Sequence, residues 1–256
     1  MGGGLRFCLL ASGSKGNAIW VEEGPLAVVI DCGLSAKEFK ARAAMRGLDL
    51  KKLKAVIISH EHRDHIQGVG PLARSLDLTV IANAATQAAC ANFVGKVRWD
   101  EFATGDTMNF GHLRVQTMSI SHDAAEPTAF VIESDSGALG LATDLGAVTN
   151  LVRQRLLGLR SLILEFNHDY DRLMEGPYPW PLKQRVRGRT GHLANEEAAE
   201  LAARLYHSDL KHLVLAHLSQ TNNTPELALK AANQALKEVI EPIAAGQDEP
   251  TIVFDL

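Results

Sequence analysis

The sequence predicts an α/β fold, and two observations indicate that class. Short apolar runs, each about as long as a buried strand, alternate along the chain with segments whose apolar residues recur at helical spacing. The chain has 256 residues, 46% of them hydrophobic, which is enough to bury a large core. This length suits one larger α/β domain or two small ones, and we favour a single domain spanning residues 1–256.

The composition restricts the classes of function. The formal net charge is −4, so a nucleic-acid partner would have to be held by a local basic patch. Three widely spaced cysteines, Cys8, Cys32 and Cys90, favour core residues in a reducing cytoplasm over a disulfide framework. The absence of a secretory signal pattern and of a membrane-length apolar run predicts a cytosolic protein. Residues 1–4 are either a flexible start or a cloning remnant.

The first 47 residues predict three strands and a helix. The apolar run 5–11 leads through the glycine-containing loop 12–17 into the run 18–22, which favours a hairpin. Such a loop could also cradle a phosphate. A third strand is predicted at residues 26–30 and ends at an aspartate. Apolar residues at helical spacing, with lysine and arginine between them and a closing glycine, predict a helix over residues 35–47.

The next stretch predicts two strands, a helix and a hairpin. The apolar run 55–58 is a strand, a helix begins at Gly70 and Pro71 and continues to residue 76, and residues 78–82 form another strand. Residues 97–110 predict a hairpin whose turn is Thr104-Gly105-Asp106-Thr107.

The remaining apolar runs predict strands, and most of these strands end in a polar or ionisable residue. They lie at residues 113–120, 128–132, 138–142, 161–166 and 211–216. Helices are predicted to begin at Asn195 and Pro225.

Four side chains that can bind metal crowd one turn between a predicted strand and a helix. His60, His62, Asp64 and His65 follow the apolar run 55–58, and their alternation directs side chains toward one point. Imidazole nitrogen and carboxylate oxygen are ligands that zinc, manganese and iron accept. A polar surface loop rich in histidine is the alternative, but catalytic loops commonly follow buried strands in this way.

The His-x-His-x-Asp-His pattern of these residues resembles the signature of the metallo-β-lactamase superfamily of hydrolases. The resemblance implies a four-layer αβ/βα sandwich with two divalent ions, zinc or manganese, at the edge where its sheets meet. It implies that Asp31 supports the ligand loop from behind and that Asp64 takes part in catalysis. The implied ligands are His60, His62 and His122 for one ion and Asp64, His65 and His217 for the other, with Asp144 and a hydroxide between them.

The C-terminal third resembles one branch of that superfamily, the YycJ-like branch, also called WalJ. The matching segments begin at Leu164-Glu165-Phe166-Asn167 and Gly191-His192-Leu193-Ala194. Members of that branch look like 5′ to 3′ DNA exonucleases. The second segment also resembles RNase Z, which implies that His192 contacts the scissile phosphate or donates a proton and that Glu165 orients it. The alternative is that His192 only caps the helix that begins at Asn195.

A basic run precedes His192 and suggests a polyanionic substrate. Guanidinium groups make bidentate contacts with phosphate oxygens, and the aromatic residues nearby could stack on bases. A solvated surface is the alternative for the run. The candidate substrate-binding residues are Lys183, Arg185, Arg187 and Arg189 of the run, Ser14 and Asn17 of the first loop, and His168, while the aromatic residues are Tyr170, Tyr178 and Trp180.

The predicted function is therefore metal-dependent hydrolysis of phosphodiesters in nucleic acid. The predicted enzyme is a 5′ to 3′ exonuclease that acts on single-stranded or 5′-end DNA, with RNA as the alternative substrate. Two other enzyme activities remain open, those of a small-molecule phosphodiesterase and of a thioester hydrolase like glyoxalase II. A third alternative is a nucleic-acid-binding scaffold that does not cut. The spacing between Asp144 and His217 leaves no room for the extra domain of RNase J-type nucleases.

Overall fold

The computed structural model describes residues 4–256, so the prediction for residues 1–3 lies outside it. The described chain forms two seven-stranded sheets flanked by helices. Its strands are β1 Arg6–Ala11, β2 Ala18–Glu23, β3 Leu26–Ile30, β4 Leu53–Ile57, β5 Thr79–Ala82, β6 Arg98–Glu101, β7 Thr107–Phe110, β8 Leu113–Ser119, β9 Thr128–Ser134, β10 Gly137–Ala142, β11 Ser161–Glu165, β12 His212–Ala216, β13 Ile243–Ala244 and β14 Phe254–Asp255. Its helices are α1 Ala36–Met45, α2 Arg63–Ile66, α3 Val69–Leu76, α4 Ala84–Val94, α5 Asn150–Arg155, α6 Tyr170–Glu175, α7 Trp180–Val186, α8 Asn195–Leu205 and α9 Pro225–Leu236.

Both sheets are mixed. The first has the order β14-β1-β2-β3-β4-β5-β6 and the second β13-β12-β11-β10-β9-β8-β7. Strands β3 to β6 are parallel, and α1, α3 and α4 lie in the connections between them, because a parallel pair needs a crossover. Strands β10 to β13 are likewise parallel in the second sheet. The hairpin predicted around residues 12–17 is confirmed, since β1 and β2 pair antiparallel.

Three apolar layers separate the sheets and helices. Val56 of β4 packs in the cluster between the first sheet and its helices, whereas its neighbour Ile57 packs between the two sheets. Such alternation explains why the central strands are apolar throughout, because both of their faces are covered. A third cluster lies between the second sheet and α5, α8 and α9. This arrangement confirms the predicted four-layer sandwich. No helix within residues 4–256 has both the length and the apolar character needed to cross a membrane.

The hairpin predicted for residues 97–110 is wrong. Strand β6 pairs parallel with β5 in the first sheet, and β7 pairs antiparallel with β8 in the second. The turn between them is held by Thr117 of β8, whose Oγ1 accepts a hydrogen bond from the Gly105 N–H at 2.9 Å. The segment therefore connects the two sheets. Tertiary contacts decide which strands β6 and β7 pair with, and local turn signals do not reveal those contacts.

Helix α4 was not predicted. Its buried face consists of Thr86, Cys90 and Val94, spaced four residues apart. A stripe made of a threonine, a cysteine and a valine within an alanine-rich segment gives little hydrophobic periodicity. The strands predicted outside residues 97–110 are all present, with ends within two residues of the prediction.

Three strand ends place a residue in the left-handed region of the backbone map. Asp31 directly follows β3 with φ 59°, Asp144 lies just beyond β10 with φ 59°, and His217 directly follows β12 with φ 56°. Residues other than glycine rarely adopt this conformation unless surrounding contacts impose it. All three are predicted site residues, so the backbone turns sharply where the sheets meet the site.

Candidate metal centre

The ends of strands from both sheets bring the predicted ligands together. His60 and His62 follow β4, and α2 then carries Asp64 and His65. The other ligands follow strands of the second sheet. These are His122 after β8, Asp144 after β10 and His217 after β12.

The first group of donors is His60, His62 and His122, whose ligand atoms lie within 4.8 Å of one another. Nδ1 of His62 and Nε2 of His122 are 3.2 Å apart. The opposite nitrogen of each ring faces a backbone carbonyl, that of Asp123 for His62 at 3.2 Å and that of Gly191 for His122 at 3.0 Å. A nitrogen that donates to a carbonyl fixes the tautomer and leaves the other nitrogen free as a ligand.

The second group is Asp64, His65 and His217, again within 4.8 Å. Oδ2 of Asp64 lies 3.5 Å from Nε2 of His65 and 3.4 Å from Nε2 of His217. The Asp144 carboxylate stands between the two groups, with one oxygen 3.4 Å from Nε2 of His65 and the other 3.7 Å from Nε2 of His122. The structure therefore brings all seven predicted ligands to one centre, arranged as two sets about Asp144.

Two buried polar atoms indicate that this centre fits divalent cations. Nε2 of His60 and Oδ2 of Asp144 have no hydrogen-bond partner within the described chain. Buried polar atoms without a partner are unfavourable, and a cation would satisfy both of these. Burial lowers the pKa of His60 well below 6.5, so its ring is neutral, as a metal ligand must be.

The charges of the second group lead to the same conclusion. Burial alone would lower the pKa of His217, but Asp144, Asp64 and Glu165 outweigh it and raise that pKa to about 10. Burial also opposes ionisation of Asp64, yet His65 and His217 hold the pKa of Asp64 below its usual range. Carboxylates that retain protons on neighbouring imidazoles can hold a divalent ion in place of those protons.

Two carboxylates support the ligands from behind. Asp31 accepts hydrogen bonds from the N–H and the hydroxyl of Ser59 at 2.8 and 2.7 Å, and one of its oxygens lies 2.7 Å from Nδ1 of His65. Glu165 is fully buried, and its Oε1 lies 2.9 Å from Nδ1 of both His192 and His217. Glu165 therefore contacts the metal centre as well as His192, whereas only the second contact was predicted.

The side chain of Glu165 is an ionised hydrogen-bond acceptor. Its oxygens also accept the backbone N–H groups of Asp144, Leu145 and Leu193, at 3.2, 2.9 and 3.0 Å. Burial would raise the pKa of Glu165, but the charges of His192 and His217 and their hydrogen bonds lower it to about 2. One carboxylate thus fixes the loop after β10, the loop before α8 and two imidazoles.

An open cavity of about 280 Å³, here called the metal cleft, lies in front of these residues. His192 lines it with its side chain 21% exposed and its Nδ1 held by Glu165. The cap of α8 is formed by Ala194 and Glu197, so His192 does not cap that helix. The rest of the lining comes from Ser14, His62, Asp64, Asp123, Asp144, Tyr178, Leu182, Arg185, Val186, Gly191 and His217.

Helix α7 covers one side of the metal cleft and contains the first half of the basic run. Arg185 pairs with Asp123, the residue after the ligand His122, and this contact lowers the pKa of Asp123 despite its partial burial. Arg187 is exposed and lies over the ring of Trp180 at 5.4 Å, and Arg189 is also exposed. The link between Asp123 and α7 has no signal in the sequence.

Three predicted substrate-binding residues are not free to bind substrate in the metal cleft. Lys183 is buried, and its ammonium donates to the carbonyl of Met174 at 2.6 Å, because α7 packs its amphipathic stem inward. Asn17 is buried, and its amide donates to Gly13 O and to Oδ2 of Asp64, both at 3.2 Å. Asn17 therefore supports a ligand rather than a substrate.

His168 is the third of these residues. It is buried beside α8, and burial lowers its pKa to about 4. It lines a separate cavity with Tyr170 and Arg187, so it is neither exposed nor part of the metal cleft. The aromatic residues do not form one cluster, because only Tyr178 reaches the metal cleft.

Structural metal sites are enclosed by protein, whereas these donors face an open cleft that His192 also lines. Fold and site together define a metal-dependent hydrolase. The chain belongs to the β-lactamase superfamily, since the family model described as Beta-lactamase superfamily domain matches residues 27–218.

Curated relatives and solved structures agree with this assignment. The chain is 38% identical over 238 residues to exodeoxyribonuclease YycJ of Bacillus anthracis, covering 92% of this chain and 90% of the relative. It is 36% identical over 230 residues to exodeoxyribonuclease WalJ of Streptococcus pneumoniae serotype 2, covering 88% and 86%. The metallo-beta-lactamase fold protein YhfI from Bacillus subtilis matches the fold with a TM-score of 0.77 at 18% identity, over 99% of this chain and 100% of that one.

Proposed function

We propose that the protein is an exonuclease that hydrolyses DNA from the 5′ end with two divalent ions, zinc or manganese. The observation that carries the proposal is the pair of donor sets about Asp144, next to an open cleft lined by His192. Because ligands come from both sheets, the proposal treats residues 1–256 as one catalytic domain.

Each donor set would hold one ion. His60, His62 and His122 would bind the first, Asp64, His65 and His217 the second, and Asp144 would contact both. When bound, the ions supply Lewis acidity that polarises the phosphodiester and lowers the pKa of an attacking water.

His192 acts on the substrate. The Nδ1–H of His192 donates a hydrogen bond to Glu165, which orients the ring and leaves Nε2 to face the substrate. The charge of Glu165 also helps to raise the pKa of His192 despite burial of the ring. His192 therefore donates a proton to the leaving oxygen or stabilises the negative charge that develops there.

The names of the relatives support DNA as substrate, because both are exodeoxyribonucleases and match most of this chain. The metal cleft of about 280 Å³ is at the small end of ligand cavities, which suits a strand end better than an intact duplex. The buried thiols Cys8, Cys32 and Cys90, none of them in a disulfide, support the proposal that the protein works in the reducing cytoplasm.

The test is a time course on end-labelled single-stranded DNA and RNA, with a 5′-phosphate or a 5′-hydroxyl, in zinc or manganese. We expect mononucleotides released from the 5′ end of DNA. Faster turnover of bis-p-nitrophenyl phosphate or glutathione thioesters, with DNA left intact, would favour a small-molecule hydrolase. DNA that is retained without product would favour a binding scaffold.

A further inference from the structure

A further cavity opens beside the metal cleft and is lined by arginine side chains. It has a volume of about 310 Å³, and we call it the arginine pocket. Its charged lining residues are Arg153 of α5, Arg187 and Arg189 of the basic run, and Glu197, Glu200 and Arg204 of α8. Four cations and two carboxylates give this pocket a positive charge within a chain whose net charge is −4.

The carboxylates of the pocket are already engaged. Glu200 pairs with Arg204 one turn further along α8, and Glu197 accepts the backbone N–H of Ala194 in the helix cap. Among the described residues, Arg153, Arg187 and Arg189 have no carboxylate within the 4.0 Å of a salt bridge. Three guanidinium groups thus line one cavity without forming an ion pair to a carboxylate.

Arg153 is a partly buried residue of the pocket lining. Its Nε is buried and has no hydrogen-bond partner in the described chain. A buried guanidinium N–H without an acceptor is unfavourable. A phosphate in the pocket would be bound by the other nitrogens of the guanidinium groups that line it, which offer two parallel donors.

The arginine pocket shares a wall with the metal centre. The hydroxyl of Ser121, which precedes the ligand His122, donates to the carbonyl of Arg189 at 2.6 Å. The backbone carbonyl of Ser121 accepts the Gly146 N–H at 2.7 Å. Gly146 packs so closely that a Cβ there would lie 2.4 Å from the carbonyl of Arg189. The segment 189–193 borders both cavities, since Arg189 and Leu193 line the arginine pocket and Gly191 and His192 line the metal cleft.

We propose that the arginine pocket binds a second phosphate of the nucleic-acid strand whose scissile phosphate lies at the metal centre. This inference rests on the proposed function and adds Arg153, which lies outside the basic run, to the residues that contact the substrate. The ligand is either a terminal phosphate monoester or a backbone phosphodiester, and both offer the anionic oxygens that the arginines require.

The experiment measures binding of fluorescent single-stranded DNA with phosphorothioate linkages that resist cleavage to the metal-loaded full-length chain across a salt series. Arg153→Gln and Arg189→Gln should each weaken binding about tenfold and reduce the salt slope by about 0.7, the value for one phosphate contact on a single strand. Arg155→Gln is the matched control, because Arg155 lies on the same helix and donates to Gln116 at the surface. It should bind as the wild type does.

Two oligonucleotides of equal length, with a 5′-phosphate or a 5′-hydroxyl, distinguish the sources of the phosphate. A loss confined to the 5′-phosphate strand assigns the pocket to the terminal group, and an equal loss with both assigns it to the backbone. Arg189 is exposed, so its variant keeps the test valid even if Arg153→Gln perturbs folding. Affinities and slopes equal to those of Arg155→Gln would overturn the proposal. The binding measurement does not depend on cleavage. If the wild-type protein binds DNA without cutting it, and the arginine variants bind DNA more weakly than the wild type, the exonuclease proposal is refuted and the phosphate-binding proposal is not.

Discussion

Replacing Glu165 by glutamine should destabilise the protein and weaken metal binding together. The carboxylate accepts five hydrogen bonds, three at Oε1 and two at Oε2. A glutamine amide has one oxygen and one NH₂ group, so in either orientation at least two buried donors would face another donor.

The expected loss follows from those contacts. A buried donor left without an acceptor costs about 1–3 kcal/mol, so two of them cost about 2–6 kcal/mol. That is a large fraction of the roughly 5–15 kcal/mol that stabilises a typical domain. Because Glu165 also holds Nδ1 of the ligand His217, metal affinity should fall by about 10- to 100-fold.

The assay is denaturant unfolding monitored by circular dichroism, with metal affinity measured by competition against a chelating dye. Glu133→Gln is the control, because Glu133 pairs with the exposed Arg114 in a partly exposed surface ion pair of small energetic value. An unfolding free energy within 1 kcal/mol of the wild type, together with unchanged metal affinity, would refute the role assigned to Glu165.

Three further predictions concern the ligands, the cleft and the thiols. Asp144→Asn keeps the shape of the side chain but removes its charge, so plasma mass spectrometry should find fewer ions per chain, and a wild-type chain that binds at most one ion would contradict the two-ion proposal. His192→Ala should keep both ions and slow turnover on the order of 10²-fold, the size of a general acid or charge-stabilising contact. Loss of metal would make His192 a ligand, and full activity would remove it from the chemistry. Burial raises the pKa of Cys32 to about 12 and that of Cys90 to about 11, so at pH 8 Ellman's reagent should label neither until the chain unfolds. Rapid labelling of the native protein would contradict the buried placement.

The resemblance to the metallo-β-lactamase superfamily implied the ligand set, and the structure brings those side chains together. Each ligand follows an apolar run, and the parallel strands of a sheet end at the same edge. The helix α7 could not be predicted in the same way. Its lysine, Lys183, satisfies a carbonyl of the preceding helix and is buried, although the sequence shows only a cation in a basic run.

Contacts between distant segments were also beyond prediction. Glu165 and His217 are 52 residues apart and meet because β11 and β12 are neighbours in the second sheet. Arg153 stands in no motif and enters the arginine pocket only because α5 packs next to the basic run. In both cases the spatial arrangement of the strands and helices determines which residues meet, and the neighbouring residues in the sequence do not.

The left-handed conformations of Asp31, Asp144 and His217 affect how variants of this centre should be interpreted. An alanine at such a position loses the side-chain function and must also keep a backbone conformation that costs roughly 1–2 kcal/mol for an L-residue. Glycine loses the same function without that cost. His217→Gly should therefore be more stable than His217→Ala, although neither can bind metal through this residue. Because the native residue and alanine carry the same backbone cost, a glycine variant alone would understate the stability lost with the side chain, and the two variants together separate that loss from the strain of the turn.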